Sequence, residues 1–85
     1  MIPDKPHLSR RFRMQWEEAQ GNYVLLYPEG MVKLNGSAAE ILKRCDGEHS
    51  VPAIVDELEA AFDTGGLAAD VDGFLRAASE RGWLD

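Results

Sequence analysis

The sequence has only one cysteine and few basic residues, and each scarcity excludes a class of protein. With Cys45 alone the chain cannot form an internal disulfide, and it lacks the cysteine triplet that holds an iron–sulfur cluster. Lys and Arg number 9 against 15 Asp and Glu, for a net charge of −6, so the surface is poorly suited to phosphate backbones. We therefore expect no nucleic acid among its partners.

Long apolar runs are missing as well. No stretch approaches the roughly 20 apolar residues of a membrane-spanning helix, and the N-terminus lacks the apolar segment of a signal peptide. We therefore expect a soluble, cytoplasmic protein with no membrane contact. A chain of 85 residues makes one domain, whose small core leaves little material to enclose a deep pocket.

Catalytic motifs are also absent: there is no phosphate-binding loop, dinucleotide fingerprint or nucleophile elbow. The densest polar cluster is "CDGEH", Cys45 to His49, which lacks the further ligand that a zinc site needs. We interpret Cys45 as a small buried hydrophobe, Asp46 and Gly47 as a helix stop, and His49 as loop surface. The sequence thus predicts a protein that is not an enzyme, with no catalytic residues, no metal and no cofactor.

What the sequence does contain is alternation followed by helical periodicity. Residues 1–10 carry two prolines and no period, so we interpret them as a flexible tail before a single domain over 11–85. Phe12, Met14 and Trp16 alternate with polar residues, which is typical of a half-buried strand. Strands are predicted over 11–17, 23–27 and 31–34, with turns at 19–22 and 28–30.

Three helices are predicted after the strands. Ser37 and Glu40 have the spacing of a capping box, for a first helix that runs to about Asp46. Ser50 caps a second helix, and a third spans about 67–81. The buried stripe expected on the second helix comprises Ile54, Val55, Leu58, Ala61 and Phe62, and that on the third Leu67, Val71, Phe74, Leu75 and Ala78.

This order of elements is α+β: a three-stranded antiparallel β-meander followed by three α-helices, with the helices on one side of the sheet. Its outline is winged-helix-like, which makes a winged-helix DNA-binding protein the alternative function. In that case the third helix would enter a major groove. Its outward Asp70, Asp72 and Glu80 outnumber its basic residues Arg76 and Arg81, and carboxylates are repelled by phosphates.

The third strand, Met31 to Leu34, is an edge in a plain meander. An exposed edge presents unpaired N–H and C=O groups, which can accept an extended peptide by strand addition. Here the strand is short and carries Lys33, so it is partly protected. The pattern alone is equally compatible with a last strand that binds nothing, and both interpretations stay open at this point.

The blocks "LYPEGMVKLNGSAAEIL", "CDG", "IV..L" and the terminal "GWL" resemble, in this order, the PqqD family of pyrroloquinoline quinone (PQQ) biosynthesis proteins. The resemblance runs from about Arg10 to Leu84 and leaves out the N-terminal tail. It implies a peptide chaperone, the prototype of the recognition element for ribosomally made, modified peptides (RiPPs). Such a chaperone binds the precursor peptide PqqA and presents it to the radical S-adenosylmethionine (SAM) enzyme PqqE.

The resemblance also implies where the peptide binds, as a strand beside the third strand in a cleft closed by the third helix. Arg76 is then expected to form an ion pair either with a peptide carboxylate or with Asp72, four residues before it. The same edge can pair with a second copy, so a homodimer is a further expectation. Carried onto this sequence, the peptide-binding positions are Met31, Val32, Lys33 and Leu34 on the strand, and Val71, Leu75, Arg76 and Ser79 at outward or rim positions of the helix.

Overall fold

A computed structural model describes residues 2–85 of the chain. Its elements are β1 (Arg13–Glu17), β2 (Asn22–Tyr27), β3 (Gly30–Lys33), α1 (Gly36–Lys43), α2 (Val51–Ala61) and α3 (Ala68–Glu80). The three strands form one sheet in the order β1-β2-β3, and both pairs are antiparallel. The predicted fold class and element order are confirmed.

The sheet turns one face toward the helices and the other outward. Leu25, which is entirely buried, pairs with Met14 of β1 and with Val32 of β3, so these side chains share the helix-facing side. Side chains alternate along a strand, which places Met31 and Lys33 on the outward face. On β3, the apolar side chain of Val32 therefore points toward the core, and the charged side chain of Lys33 points to the opposite face of the sheet.

The start of α1 differs from the prediction. The side chain of Asn35 is the N-cap, and its Oδ1 accepts a hydrogen bond from the N–H of Ala38 at 2.7 Å. The predicted capping box was wrong, because Ser37 already lies inside the helix and the Glu40 carboxylate binds two basic side chains further along it. An Asn cap satisfies the free donors of the first turn equally well.

Helix α1 ends at Lys43, earlier than the predicted Asp46. The carboxylate of Asp46 instead accepts hydrogen bonds from the N–H groups of Glu48 and His49, at 2.9 and 3.1 Å. A side chain that binds nearby backbone donors competes with the helical hydrogen bonds. The backbone at Gly47 has φ 82°, a conformation that favours glycine.

The other two helices start where they were expected. The Oγ of Ser50 accepts from the N–H of Ala53 at 3.2 Å and caps α2, as predicted. Helix α3 agrees with its predicted bounds within one residue at each end. Among residues 2–85, no helix is both long and apolar enough to cross a bilayer.

Residues 6–9, predicted to belong to a flexible tail, instead pack against the domain. The N–H of Leu8 donates to the carbonyl of Cys45 at 3.1 Å, and the N–H of Ser9 to the carbonyl of Trp83 at 2.8 Å. This segment joins the loop after α1 to the C-terminal end of the chain. It was missed because single bridges leave no alternating pattern in the sequence.

One hydrophobic core fills the space between the sheet and the helices. Trp83 and Leu84, which follow α3, pack back onto it. Cys45 also belongs to it: its exposed fraction is 4%, and its thiol donates to the carbonyl of Ile41 at 3.4 Å. Burial raises the pKa of this thiol to about 12, so it stays protonated and unreactive. The interpretation of Cys45 as a small buried hydrophobe is confirmed.

Candidate peptide-binding site

The free hydrogen-bonding groups of the β3 edge belong to Met31 and Lys33. The N–H of Leu34 donates to the carbonyl of Tyr23 at 3.0 Å, so Leu34 faces β2. In an antiparallel pair every second residue points its N–H and C=O groups at the neighbouring strand. The backbone groups of Val32 therefore also point at β2. The N–H and C=O groups of Met31 and Lys33 consequently point away from the sheet, and within residues 2–85 they have no partner. This edge can accept another strand.

An apolar groove of about 500 Å³ opens where β3 ends. Gly36 at the start of α1 forms one side, and it follows Lys33 by three residues. Buried side chains such as Leu58 make the floor, and the ring of Phe62, which is 54% exposed, stands at one wall. The groove is lined by Gly36, Ser37, Glu40, Ile41, Leu58, Phe62, Thr64, Leu67, Asp70 and Val71.

The predicted strand residues divide between the edge and the core. Met31 is 46% exposed and Lys33 is exposed, whereas Val32 is half-buried. Leu34 is 3% exposed and belongs to the core, so its side chain is closed to a peptide. A peptide strand beside β3 would meet the backbone of this segment and the side chains of its first three residues.

Two of the predicted helix residues do not lie at the rim of α3. Val71 is 2% exposed and Leu75 is fully buried, because the apolar stripe of the helix passes through both of them. Val71 still contributes to the floor of the groove. For Leu75 the assignment to an outward or rim position was wrong.

The other two predicted helix residues are less buried: the side chain of Arg76 is 64% exposed, and Ser79 is half-buried. The Nη2 of Arg76 donates to the Oδ2 of Asp72 at 2.8 Å, which is the intrahelical pair foreseen as one of two alternatives. Asp72 in turn lines a hollow with Val55 of α2. The groove is on a different side of the helix, at Asp70.

Sequence reasoning missed Phe62 and Leu67 as groove residues. Phe62 was expected in the buried stripe of α2, but it is the C-cap of that helix and projects past the packed turn. Leu67, expected in the buried stripe of α3, is half-buried at the start of that helix. The signal that could have found both is their position on either side of "DTGG", where two helix ends leave apolar side chains incompletely covered.

An aromatic chain connects the hairpin end of the sheet to α3. The ring centroids of Tyr27 and Phe12 are 5.5 Å apart, those of Phe12 and Trp83 are 6.4 Å apart, and those of Trp83 and Phe74 are 6.4 Å apart. Tilted contacts of this kind add to the stability gained by burial alone. They link the β2–β3 hairpin to α3 through the rings of Phe12 and Trp83.

A network of charges ties α1 and the loop after it to α2. The guanidinium of Arg44 contacts Glu40 at 3.0 Å and Glu57 at 3.2 Å. His49 contacts Asp46 through Nδ1 at 2.9 Å and Glu57 through Nε2. The hydrogen bond to Asp46, and then that to Glu57, raises the pKa of His49, while the hydrogen bond from His49 lowers the pKa of Asp46 to about 2.

This network has the features of a structural tether. Its cations and carboxylates neutralise one another, and of the residues named in it only Glu40 also lines the groove. Among residues 2–85, no group of three or more His, Cys, Asp or Glu side chains is arranged to hold a metal ion.

The fold and the site together define a winged-helix-like domain that offers a free edge strand beside an apolar groove. The family model of "Coenzyme PQQ synthesis protein D (PqqD)" matches residues 22–84. The chain belongs to the PqqD family.

Curated relatives cover most of the chain. The "PqqA binding protein" of Methylococcus capsulatus is 53% identical over 77 residues, which are 91% of this chain and 83% of that protein. The "PqqA binding protein" of Azotobacter vinelandii is 54% identical over 85 residues, which are 99% of this chain and 92% of that protein.

A solved structure has the same fold. It is the solution NMR structure of the PqqD truncation of Methylobacterium extorquens PqqCD, described as a functional and stand-alone RiPP recognition element. The two chains are 27% identical and match with a TM-score of 0.81 over 100% of this chain and 95% of that one. The likeness includes the arrangement of sheet and helices that forms the edge and the groove.

Proposed function

We propose that this protein is a peptide chaperone of PQQ biosynthesis, which binds the precursor peptide PqqA by strand addition at β3 and presents it to the radical SAM enzyme PqqE. The observation that carries the proposal is the pair of outward backbone sites at Met31 and Lys33, next to an apolar groove. The names of relatives more than half identical to the chain support PqqA as the ligand.

The edge and the groove have different tasks in this proposal. The N–H and C=O groups of Met31 and Lys33 bind the backbone of the peptide and read no sequence, so side-chain contacts decide which peptide binds and in which register. Each net hydrogen bond is worth about 0.5–1.5 kcal/mol, and the ordering of a free peptide offsets part of the sum. The backbone alone therefore gives weak binding, and apolar contacts in the groove supply the remainder.

The groove is placed to receive the peptide as it leaves the strand. A chain paired with β3 passes Lys33 and reaches Gly36 about 10 Å further on, at three residues of extended backbone. There it meets the apolar floor and the ring of Phe62. Apolar peptide side chains fit this position, because their burial removes both surfaces from water.

Presentation to the enzyme needs no catalytic group on this protein. A chaperone that contacts both peptide and enzyme raises the effective concentration of the peptide at the active site. Release requires moderate affinity, which follows from the ordering cost of a disordered peptide. Peptide crosslinking by PqqE with and without this protein tests this part: we expect a much lower rate without it, and an unchanged rate contradicts the proposal.

The binding site is tested by titrating isotope-labelled protein with PqqA. We expect the largest amide resonance shifts at Met31–Leu34 and around Phe62 and Leu67. Shifts confined to Arg13–Glu17, or no shifts at all, would overturn the assignment of the site to β3.

A further inference from the structure

The second edge of the sheet, β1, also has free backbone groups. The carbonyl of Tyr23 is bonded to β3, so the alternate residue Val24 is bonded to β1, through its partner Gln15. The N–H and C=O groups of Met14 and Trp16 therefore point away from β2, in the plane of the sheet. Within residues 2–85 these groups have no partner.

The side chains of β1 carry unpaired opposite charges. Arg13, Gln15 and Glu17 share the outward face of the sheet, because residues two apart in a strand lie on one side. Neither Arg13 nor Glu17 makes an ion pair with another described residue. They are about 13 Å apart along the strand, so they cannot reach each other within one chain.

We propose that β1 is a self-recognition edge, at which a second copy of this chain adds its own β1 antiparallel about a two-fold axis through Gln15. In this register Arg13 lies opposite Glu17 of the second copy, and Met14 lies opposite Trp16 of the second copy. Both relations occur twice by symmetry. The sequence Arg-Met-Gln-Trp-Glu is therefore complementary to itself when reversed.

The backbone pattern agrees with this register. The outward groups of Met14 and Trp16 face each other as hydrogen-bonded pairs, and the two Gln15 residues form the non-hydrogen-bonded pair between them. A register shifted to place Arg13 opposite Gln15 loses both ion pairs. Opposite charges directly across a strand pair stabilise it, and like charges destabilise it.

The other edge lacks this complementarity. If β3 pairs antiparallel with β3 of a second copy about an axis through Val32, Lys33 lies opposite Met31 of that copy. No carboxylate within β3 is then available to pair with Lys33. Pairing through β1 also closes the assembly, because each copy has one such edge, and it leaves both β3 edges free. The contact is a single pair of short strands, so we expect a dimer that forms at high protein concentration.

The first test uses the variant Gln15→Cys. In a non-hydrogen-bonded antiparallel pair the Cα atoms are about 4.5 Å apart, which is within the range that a disulfide spans. Cys45 does not interfere, because it is buried and its pKa is raised to about 12. Under oxidised glutathione we expect a disulfide-linked dimer from Gln15→Cys and none from the control Lys33→Cys. The reverse result overturns the proposal.

The second test is a charge-swap cycle followed by sedimentation equilibrium. Arg13→Glu and Glu17→Arg each put like charges opposite one another at both ends of the strand pair, and we expect each to weaken dimerisation about tenfold. The double variant restores both ion pairs, with affinity returning to within about threefold of the unchanged chain. Circular dichroism confirms that the variants fold. A double variant as weak as the singles, or a monomer throughout, contradicts the proposal.

Discussion

The two edges of the sheet expose the same backbone groups in different surroundings. Strand β1 points the N–H groups of Met14 and Trp16 outward, and β3 does so with Met31 and Lys33. Strand β3 leads into an apolar groove, whereas β1 is bordered by unpaired charges. Backbone geometry therefore decides where a strand can add, and the surrounding side chains decide which strand binds there.

A second hollow, which Trp16 of β1 helps to line, contains polar groups and so differs from the apolar groove. The rings of Trp16 and Tyr23 meet edge-on with centroids 5.1 Å apart, and the Nζ of Lys43 lies 4.7 Å from the Tyr23 centroid. The side chain of Asn22 also lines this hollow, and its buried Oδ1 has no hydrogen-bond partner. An apolar peptide side chain placed here would desolvate the Lys43 cation and could not satisfy the Asn22 oxygen, so it is better accommodated beside β3.

The largest effect is expected from proline at the β3 edge. Lys33→Pro removes an outward N–H and places a ring where the peptide strand would lie, so we predict at least a tenfold loss of PqqA affinity by calorimetry. Its thermal melting should change little, because that N–H is not bonded within the sheet. Val32→Pro should instead lower the melting temperature strongly, because its N–H faces β2.

The matched control lies on the other edge. Trp16→Pro removes an outward N–H of β1 in the same way, and we predict that PqqA affinity stays within about twofold of the unchanged chain. Equal losses of affinity for Lys33→Pro and Trp16→Pro would contradict the proposal that PqqA adds at β3 and not at β1.

The groove should contribute somewhat less than the edge. Phe62→Ala removes an exposed ring, and we predict about a tenfold loss of PqqA affinity, near 1.4 kcal/mol, from lost apolar contact. The control is Trp16→Ala, since Trp16 is 51% exposed and Phe62 is 54% exposed. We expect calorimetry to show little change for that control, and a loss as large as that of Phe62→Ala would contradict a specific role of the groove.

A small effect is expected from Arg76→Ala. Arg76 pairs with Asp72 on an exposed side of α3, and such pairs contribute about 0.3–0.5 kcal/mol to stability. We predict less than a twofold change in PqqA affinity by the same calorimetric titration. A tenfold loss would instead support the alternative in which Arg76 binds a peptide carboxylate.

We expect the pH dependence to be the same for both edges, because His49 and Asp46 line neither the groove nor the hollow that Trp16 of β1 helps to line. The pKa of His49 is raised by its carboxylate partners, so its contribution to stability is full below its ordinary value of 6.5 and is lost as the pH rises through the raised pKa. The pKa of Asp46 falls from 3.8 to about 2, so its contribution is full above 3.8 and is lost toward pH 2.

We therefore predict that the free energy of unfolding, measured by denaturant titration, declines as the pH rises above about 6.5. His49→Gln should flatten this decline, since glutamine does not titrate. A variant with the same slope as the unchanged chain would show that another group is responsible.

Much of the fold follows from short patterns in the sequence. The alternation around Met14 and the cap at Ser50 are local signals, and both were interpreted correctly. The cap at Asn35 was missed because two capping residues lie close together and only the fold selects one. The packing of residues 6–9 depends on contacts distant in sequence, which leave no period.

Less of the candidate site than of the fold could be predicted from the sequence. The sequence places an edge at 31–34, but only the register with β2 determines that Lys33, and not Val32, points its N–H outward. On α3, helical periodicity marks Val71 and Leu75 as apolar, yet it does not say which side of the helix borders a groove. That depends on how α1, α2 and α3 pack together.

The most direct test of strand addition at β3 is amide hydrogen exchange, measured on dilute protein with and without saturating PqqA. A new strand bonds the outward N–H groups, so we predict slowed exchange at Met31 and Lys33 and unchanged exchange at Met14 and Trp16. Protection that arises at Met14 and Trp16 instead, or at neither edge, would contradict the account.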